Sequence, residues 1–265
     1  MSLRKWIENR AVNGIPTFSV EDVRQAGLFR SEQIMQNDLY RLCKNKTISN
    51  VYKGFYIIYP VEYKLKGFIP PTYFINHLMA YLNKPYYISL LSAAERYGVT
   101  VPKNENILSG QFYVTTIFPR SCLATKKNQT INWFYSLKLP ETSIYTMKSE
   151  TGVIRVSNPL LTATDIIRNQ QHLGEMNFVT SILKELIEKI DVSEEFLRLY
   201  PYVNTTIWQR LGFVLDKVLG EQTLSAIIYA TLKEQTTRLS VTPLNTKMLL
   251  SKSKKDKKWN VLFSR

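Results

Sequence analysis

Apolar residues at helical spacing along the first part of the chain predict three helices. The first is expected over Ser2–Val12 and ends at Gly14, because glycine readily takes the left-handed conformation that closes a helix. Ser19 and Asp22 have the three-residue spacing of a capping box, which predicts the start of a second, short helix. Ser31 is expected to cap the third helix.

The third predicted helix has an apolar side and a polar side. We expect Ile34, Leu39 and Leu42 to face the core, since they lie on one side of a 3.6-residue repeat. The side chains expected on the opposite, exposed face are Gln33, Gln36, Asn37, Tyr40, Arg41 and Lys44.

After Lys46 the hydrophobic period changes from 3.6 to about two. This predicts two short strands, one with Ile48 and Val51 and one with Phe55 and Ile57, joined by a turn at Lys53-Gly54. Three helices followed by a hairpin is the order of elements in a winged helix, and the turn before the third helix suits a helix-turn-helix. We therefore predict a winged helix-turn-helix domain over residues 1–66.

Residues 67–265 predict a larger domain of mixed structure. One helix is expected to begin at Pro70-Pro71, since proline is tolerated in a first turn, and another between Ser89 and Gly98. Alternating, β-branched-rich segments predict strands at Gln111–Phe118, Thr130–Leu137, Ser143–Met147, Gly152–Val156 and Trp259–Phe263. Further helices are expected at Leu160–Leu173, Met176–Ile190, Ser193–Leu199, Thr206–Leu219 and Glu221–Glu234. The lysine run Lys254, Lys255, Lys257 and Lys258 around Asp256 is expected to form an exposed turn before the final strand. Strands followed by helices indicate an α+β fold.

The net charge limits the classes of partner but does not identify one. The 265 residues carry a formal net charge of +14, with a pI near 9.6. This balance favours a polyanion, either nucleic acid or an anionic membrane surface, although basic residues also keep a surface soluble. The excess is spread: residues 1–66 contain 11 basic and 6 acidic side chains, and the remainder 24 and 15.

Cysteine use and hydropathy indicate a cytoplasmic protein that makes no membrane contact. Cys43 and Cys122 are far apart and outside any C-x-x-C pattern, which argues against a disulfide framework or a cysteine zinc site. The first ten residues lack the apolar core of a signal peptide. The longest uncharged stretch, Gly67–Asn83, is too short and too polar to span a bilayer.

The exposed face of the third helix carries the chemistry for reading duplex DNA. Glutamine and asparagine pair with adenine, arginine grips guanine, and lysine pairs with phosphate. Two other interpretations stay open: a face that is simply solvated, and a domain used for protein contacts. The candidate DNA-binding residues are Ser31, Gln33, Gln36, Asn37, Tyr40, Arg41, Lys44, Lys46 and Lys53.

The sequence offers little support for an enzyme. It contains neither a phosphate-binding G-x-x-x-x-G-K-[ST] loop nor a G-x-G-x-x-G after a strand, and its two histidines, His77 and His172, are far apart. We expect no metal site and no cofactor. The alternative class is an RNA-binding protein in which the basic body and the tyrosines of segment 52–97 stack on bases, although such aromatics more often pack in a core.

Several segments together resemble the AbiEi family, the antitoxin component of bacterial AbiE-type (type IV) abortive-infection systems. Val51–Tyr56 is similar to the end of the family's wing, and Tyr86–Gly98 to its most recognisable signature. Asn158-Pro159 before a helix, the stretch Gln209–Gly212 and the late pair Lys258-Trp259 resemble its C-terminal features. The order of these segments along one chain carries the resemblance.

This resemblance implies a DNA-binding autorepressor with an antitoxin domain. Family members repress their own operon by binding inverted repeats, and they counteract a toxin that resembles nucleotidyltransferases. The winged-helix elements here are Ser31–Lys44 and Lys46–Lys53. Arg210 is a candidate for a basic surface of the C-terminal domain. An equally favoured alternative is that its alkyl stem packs on neighbouring residues at the helix surface.

Overall fold

The computed structural model describes residues 1–64, 67–101, 111–119, 130–190, 195–236, 238–245 and 253–264. The fold is α+β, as predicted. The helices are α1 (Leu3–Val12), α2 (Val20–Gln25), α3 (Glu32–Lys44), α4 (Val61–Lys64), α5 (Ile75–Tyr81), α6 (Leu90–Arg96), α7 (Pro159–Arg168), α8 (Gln170–Leu173), α9 (Met176–Ile187), α10 (Glu195–Leu199), α11 (Thr205–Phe213) and α12 (Gln222–Gln235). The strands are β1 (Thr17–Ser19), β2 (Ile48–Tyr52), β3 (Phe55–Ile58), β4 (Tyr86–Ile88), β5 (Gln111–Ile117), β6 (Thr130–Ser136), β7 (Ile144–Ser149), β8 (Gly152–Ser157), β9 (Thr242–Pro243), β10 (Lys254–Lys255) and β11 (Val261–Phe263).

The chain forms two compact units. The first unit consists of Met1–Tyr86, Gly110–Leu137 and Thr146–Arg155, and the second of Tyr87–Ser109, Lys138–Tyr145 and Val156–Arg265. The first unit thus contains all of the predicted N-terminal domain. The predicted boundary after residue 66 falls at residues that the structure does not describe, and it stays a prediction.

The three N-terminal helices begin where the sequence predicted. Ser2 caps α1 by accepting a hydrogen bond from the N–H of Lys5. Ser19 and Asp22 form a reciprocal capping box at α2, which satisfies two backbone donors that a helix end leaves free. The hydrophobic core under these helices consists of Leu3, Ile7, Phe18, Val23, Met35, Leu39, Ile48, Tyr56 and Ile58.

The predicted hairpin β2–β3 is part of a three-stranded antiparallel sheet. Its third strand, β1, pairs with β3 and was missed in the sequence because it is only three residues long. Phe18 holds β1 against β3, because its ring stacks on that of Tyr56 with centroids 5.3 Å apart. The edge of Phe18 also meets Trp6 of α1 at 5.5 Å, so the sheet is joined to the helices.

The prediction that Ile34 faces the core is wrong. Its side chain is 53% exposed, whereas Met35 and Leu39 are buried and Leu42 is partly buried. Consecutive helical residues point about 100° apart, so only one of the neighbours Ile34 and Met35 can share the inward face with Leu39. Met35 and Leu39 are four residues apart, and they form that face.

The predicted strands in the middle of the chain are present. They belong to a five-stranded sheet of order β6-β5-β4-β8-β7, in which β5 and β6 run parallel over their full lengths. The short strand β4 was not expected, and it pairs with β8 at Ile88 and Val156. Ser89 then begins α6, which ends before Gly98 as predicted. Pro71 begins a single 3-10 turn, and α5 starts only at Ile75.

Helices dominate the second unit, and several of their buried polar groups have partners within the core. Asn158 caps α7 by accepting from the N–H of Leu161 at 2.8 Å. α7 is buried from Pro159 to Ile167, so its one acidic residue, Asp165, requires a partner. The hydroxyl of Tyr87 provides it by donating to Asp165 at 2.9 Å. The predicted N-cap Ser193 of the helix at α10 lies outside the described residues.

The prediction that the lysine run before the last strand forms an exposed turn is wrong for Lys254 and Lys255, which form a strand, and for Lys258, which forms an ion pair. Lys254 and Lys255 form β10, which pairs antiparallel with β11. The ammonium group of Lys258 lies 2.8 Å from a carboxylate oxygen of Asp216. A charged run forms ordered structure here because the apolar strand beside it, β11, supplies backbone hydrogen bonds, while the side chains of Lys254 and Lys255 stay exposed.

Candidate nucleic-acid interface

One exposed face of α3 presents the polar side chains that the sequence placed there. All six residues predicted to face outward are exposed. The opposite face is anchored by Met35 and Leu39, which are buried in the core. The helix is therefore fixed in orientation, with its polar side directed to solvent. The exposed set comprises Gln33, Gln36, Asn37, Tyr40, Arg41 and Lys44.

Weak mutual contacts arrange these side chains in the free protein. The amide of Gln33 donates to the side-chain oxygen of Asn37 at 3.2 Å. The guanidinium group of Arg41 lies 3.5 Å from Asp38, and its side chain is 75% exposed. Exposed pairs of this kind contribute at most about 1 kcal/mol, so a base edge or a phosphate can replace them.

An ion-pair network, which sequence reasoning missed, joins α2 to α3. Arg24 donates to both carboxylate oxygens of Glu32, at 2.8 and 3.2 Å, and to Glu21 at 3.2 Å. The hydrogen bond from Arg24 lowers the pKa of Glu32, and the bond from Gln36 lowers it further. The charge of Arg24 is thus balanced by two carboxylates, and the amide group of Gln36 is held by its hydrogen bond to Glu32.

Ser31, Lys44 and Lys46 border the two ends of α3. Ser31 occupies the N-cap position, but its exposed hydroxyl makes no capping hydrogen bond, so the group is available to a ligand. Lys46 has a left-handed φ of 51° and is exposed, as is Lys44. The backbone of Lys46 therefore turns the chain from α3 into β2 while its ammonium group stays in solvent.

The hairpin turn at Lys53-Gly54 is built on a closed network of hydrogen bonds. Tyr52 pairs with Phe55, which leaves a two-residue loop with Gly54 at a φ of +72°. The amide of Asn50 donates to the carbonyls of Tyr52 and Phe55 at 2.8 and 3.1 Å. Lys53 itself is exposed.

A cleft of about 630 Å³ lies between α3 and this turn. Its lining includes Gln36 of α3, Arg24 of α2, and Tyr52, Lys53 and Tyr81. Gln36 and the hairpin turn with the cation Lys53 therefore border the same cleft within the first unit.

Arg210 lies in the second unit and does not belong to this surface. It is half-buried, it donates to the hydroxyl of Thr242 at 3.2 Å, and burial lowers its pKa. Its neighbour Gln209 is fully buried and donates to the carbonyls of Ser240 and Trp259, each at 2.8 Å. These contacts account for the stretch Gln209–Gly212 as a structural element, and the basic-surface role of Arg210 stays a prediction.

Four tyrosines of segment 52–97 have packing or hydrogen-bonding roles in the described structure. Tyr56, Tyr86 and Tyr87 are buried. The hydroxyl of Tyr97 donates to the carbonyl of Ser157 at 2.8 Å. A platform for stacking bases requires exposed rings, which these four residues do not present as a group.

The described residues were also expected to contain no metal site and no membrane-spanning segment. Within the described ranges, no group of three or more histidine, cysteine, aspartate or glutamate side chains is placed to hold a metal ion. His77 is half-buried, with Nε2 3.4 Å from the carbonyl oxygen of Thr151. No helix in the described part of the chain has the length and hydropathy needed to cross a bilayer. Cys122 lies outside the described residues.

Comparisons with known proteins identify the fold and leave the function open. Neither the protein-family models nor the curated proteins include a match to this chain. The structure is similar to the crystal structure of the RV2827C protein from Mycobacterium tuberculosis, with a TM-score of 0.69 and 16% sequence identity. The similarity covers 97% of this chain and 89% of that one. At this identity the likeness shows a shared fold, and function has to be argued from the site.

Proposed function

We propose that this protein is a cytoplasmic transcriptional autorepressor that binds duplex DNA through a winged helix, and that it is also the antitoxin of a toxin–antitoxin system. The order of α1, β1, α2, α3 and the hairpin β2–β3 supports the winged-helix interpretation. The observation that carries the proposal is the exposed polar face of α3, which is rigidly backed by the core.

The residues of this face match the edges of base pairs in the major groove. Gln33, Gln36 and Asn37 can donate to and accept from adenine, and Arg41 can bind guanine. The exposed Ile34 belongs to the first turn of the same helix, and recognition helices contact bases mainly through their N-terminal residues. An apolar side chain there matches the methyl group of thymine.

The cations around the face would contact the phosphate backbone. Lys44 is the last residue of α3, Lys46 follows the helix, and Lys53 lies at the tip of the hairpin. The net charge of +14 adds long-range attraction to a polyanion. Phosphate contacts set affinity and salt dependence, while the α3 face would set sequence preference.

The antitoxin role is proposed from the resemblance of Tyr86–Gly98 and Gln209–Gly212 to AbiEi proteins. Its partner would be a nucleotidyltransferase-like toxin encoded next to this protein, and its operator would be an inverted repeat.

A mobility-shift experiment tests DNA binding. Full-length protein is titrated against the DNA upstream of its own gene and against a scrambled fragment of equal length, at 50 and 150 mM salt. The proposal expects binding to the upstream fragment that persists at about 150 mM salt, with weaker and steeply salt-dependent binding to the scrambled one. Equal, salt-labile binding to both would contradict it, and a preference for single-stranded RNA would replace it with the RNA-binding alternative.

A growth assay tests the antitoxin role separately. The adjacent toxin gene is induced in cells with and without this protein, and a variant with Arg41→Ala and Lys53→Ala serves as control. If neutralisation is separate from operator binding, the control variant rescues growth as the wild type does. Absence of rescue by the wild type would refute the antitoxin role and leave the DNA-binding proposal intact.

A further inference from the structure

The tip of the hairpin β2–β3 is held by a residue that follows the predicted N-terminal domain in sequence. Tyr81 lies at the end of α5, and its hydroxyl donates a hydrogen bond to the carbonyl oxygen of Lys53 at 3.3 Å. Its ring meets the edge of Tyr52 at a centroid distance of 6.4 Å and packs on Phe55 at 5.2 Å. All these residues belong to the first unit.

Gly54 allows the tyrosine to approach this closely. A Cβ atom at Gly54 would lie 3.1 Å from the hydroxyl oxygen of Tyr81, and the φ of +72° disfavours any other residue there. The N–H of Val20, the first residue of α2, donates to the carbonyl of Gly54 at 2.8 Å. The two loop carbonyls are thus bound by residues of two different helices, α2 and α5.

We propose that Tyr81 is a positioning residue for DNA binding, which fixes the hairpin tip so that the ammonium group of Lys53 meets the phosphate backbone. The inference rests on the proposed DNA-binding function. A two-residue loop at the end of a hairpin is otherwise prone to local opening, and ordering it on binding lowers affinity. Tyr81 is 44% exposed, so its ring contributes less to the core than a buried tyrosine does.

A double-mutant cycle measures whether Tyr81 acts through Lys53. Binding to the upstream DNA is measured by fluorescence anisotropy across a salt series for four proteins: the wild type, Tyr81→Phe, Lys53→Ala and the double variant. Tyr81→Phe removes only the hydroxyl, and we expect about two- to tenfold weaker binding together with a shallower salt dependence. In the Lys53→Ala background the same change is expected to have almost no effect.

Tyr202→Phe is the matched control, because Tyr202 is also 44% exposed and lies in the second unit. It is expected to bind as the wild type does. Wild-type affinity and salt slope for Tyr81→Phe would overturn the inference. A loss of equal size in the presence and absence of the Lys53 side chain would also overturn it.

A second measurement distinguishes this inference from the proposed function, because it needs no DNA. The ¹⁵N heteronuclear NOE of the Lys53 and Gly54 amides reports fast motion of the hairpin tip. We expect lower values in Tyr81→Phe, with values along α3 unchanged. Unchanged values at the tip refute the positioning role even if the protein binds DNA. Lower values with no DNA binding by the wild type refute the proposed function and leave Tyr81 as the residue that orders the hairpin.

Discussion

Gly212 packs directly against the indole ring of Trp259. A Cβ atom at Gly212 would lie 2.7 Å from Cε3 of that ring and would overlap Cζ3 and Cη2. Trp259 is fully buried, and its backbone carbonyl accepts a hydrogen bond from the side chain of Gln209. Gln209 lies about one helical turn before Gly212 on α11. Glycine is required at residue 212 because the indole ring fills the space of a side chain.

Replacing this glycine is therefore expected to destabilise the protein. An alanine in a helix is ordinarily about 1 kcal/mol better than glycine, but Gly212→Ala forces a methyl group into the ring. We expect a net loss of about 1–3 kcal/mol in the free energy of unfolding, measured by urea denaturation. Combined with Trp259→Phe, the loss should be smaller than the sum of the two single effects. A stabilised Gly212→Ala variant would show that the ring does not occupy this position.

Asp216 lies in a π-helical segment, Val214–Leu219, that directly continues α11. Its carboxylate links this segment to the C-terminal part of the chain and gives a prediction about pH. It accepts hydrogen bonds from Lys258 Nζ and Trp259 Nε1, each at 2.8 Å. Burial acts to raise the pKa of Asp216, but these two bonds and the neighbouring lysines outweigh it, and the pKa falls from 3.8 to about 2. Since the folded pKa is the lower one, the stabilisation is present above about pH 4 and is lost as the pH falls through 2.

Asp216→Asn is accordingly expected to lower the free energy of unfolding by about 2 kcal/mol at pH 7. The difference between the variant and the wild type should shrink between pH 4 and pH 2, where the wild-type carboxylate becomes protonated. Urea denaturation at pH 7, 4, 3 and 2.5 measures it. Lys217→Ala is the control, because this half-exposed lysine lies 3.5 Å from the carboxylate and is expected to have a small effect. A difference independent of pH would contradict the assignment.

Arg41 and the two lysines Lys46 and Lys53 are expected to differ in how they affect DNA binding. Arg41→Ala should weaken binding to the upstream DNA by about 1–3 kcal/mol and relax the preference at one base pair. Lys46→Ala and Lys53→Ala should weaken binding to all sequences alike and lower the slope of log affinity against log salt by about one each. Titrations on upstream and scrambled DNA measure both effects. An equal loss on both DNAs for Arg41→Ala would remove its base-reading role.

Removing one methyl group from the DNA tests whether Ile34 contacts a base. If Ile34 contacts thymine, replacing that thymine by deoxyuridine should weaken wild-type binding about fourfold, the value of one buried methyl group. Ile34→Ala should bind both DNAs equally. Ile15→Ala is the control, since Ile15 is 42% exposed and lies outside α3. If replacing each thymine of the upstream site by deoxyuridine changes the affinity of the wild type and of Ile34→Ala by the same factor, Ile34 is not a base-reading residue.

Local sequence signals predicted much of the fold correctly. The capping box of Ser19 and Asp22 and the Lys53-Gly54 turn were predicted from residues close together in sequence, and both are present. These signals work because caps and tight turns depend on the conformations of a few neighbouring residues. The same holds for the polar face of α3, which follows from helical periodicity alone.

The misassigned positions depend on contacts that periodicity does not encode. Ile34 and Met35 are adjacent apolar residues, and the pattern alone did not show which of them the core accepts. The charge pattern predicts that Lys258 lies in an exposed turn, yet its ammonium group pairs with Asp216, a residue far away in the sequence. Long-range partners of this kind are set by how helices and strands pack together.

The sequence by itself determined the α+β class, most of the helices and strands, and the polar chemistry of α3, because these follow from composition and short-range repeats. Only the tertiary structure decided that Tyr81 reaches the hairpin tip, that Gly212 accommodates Trp259 and that Arg210 is half-buried. The physical reason is that close packing and burial are properties of residues brought together from separate segments. Which groups become neighbours is fixed when the chain folds, and the chemistry of each group then depends on those neighbours.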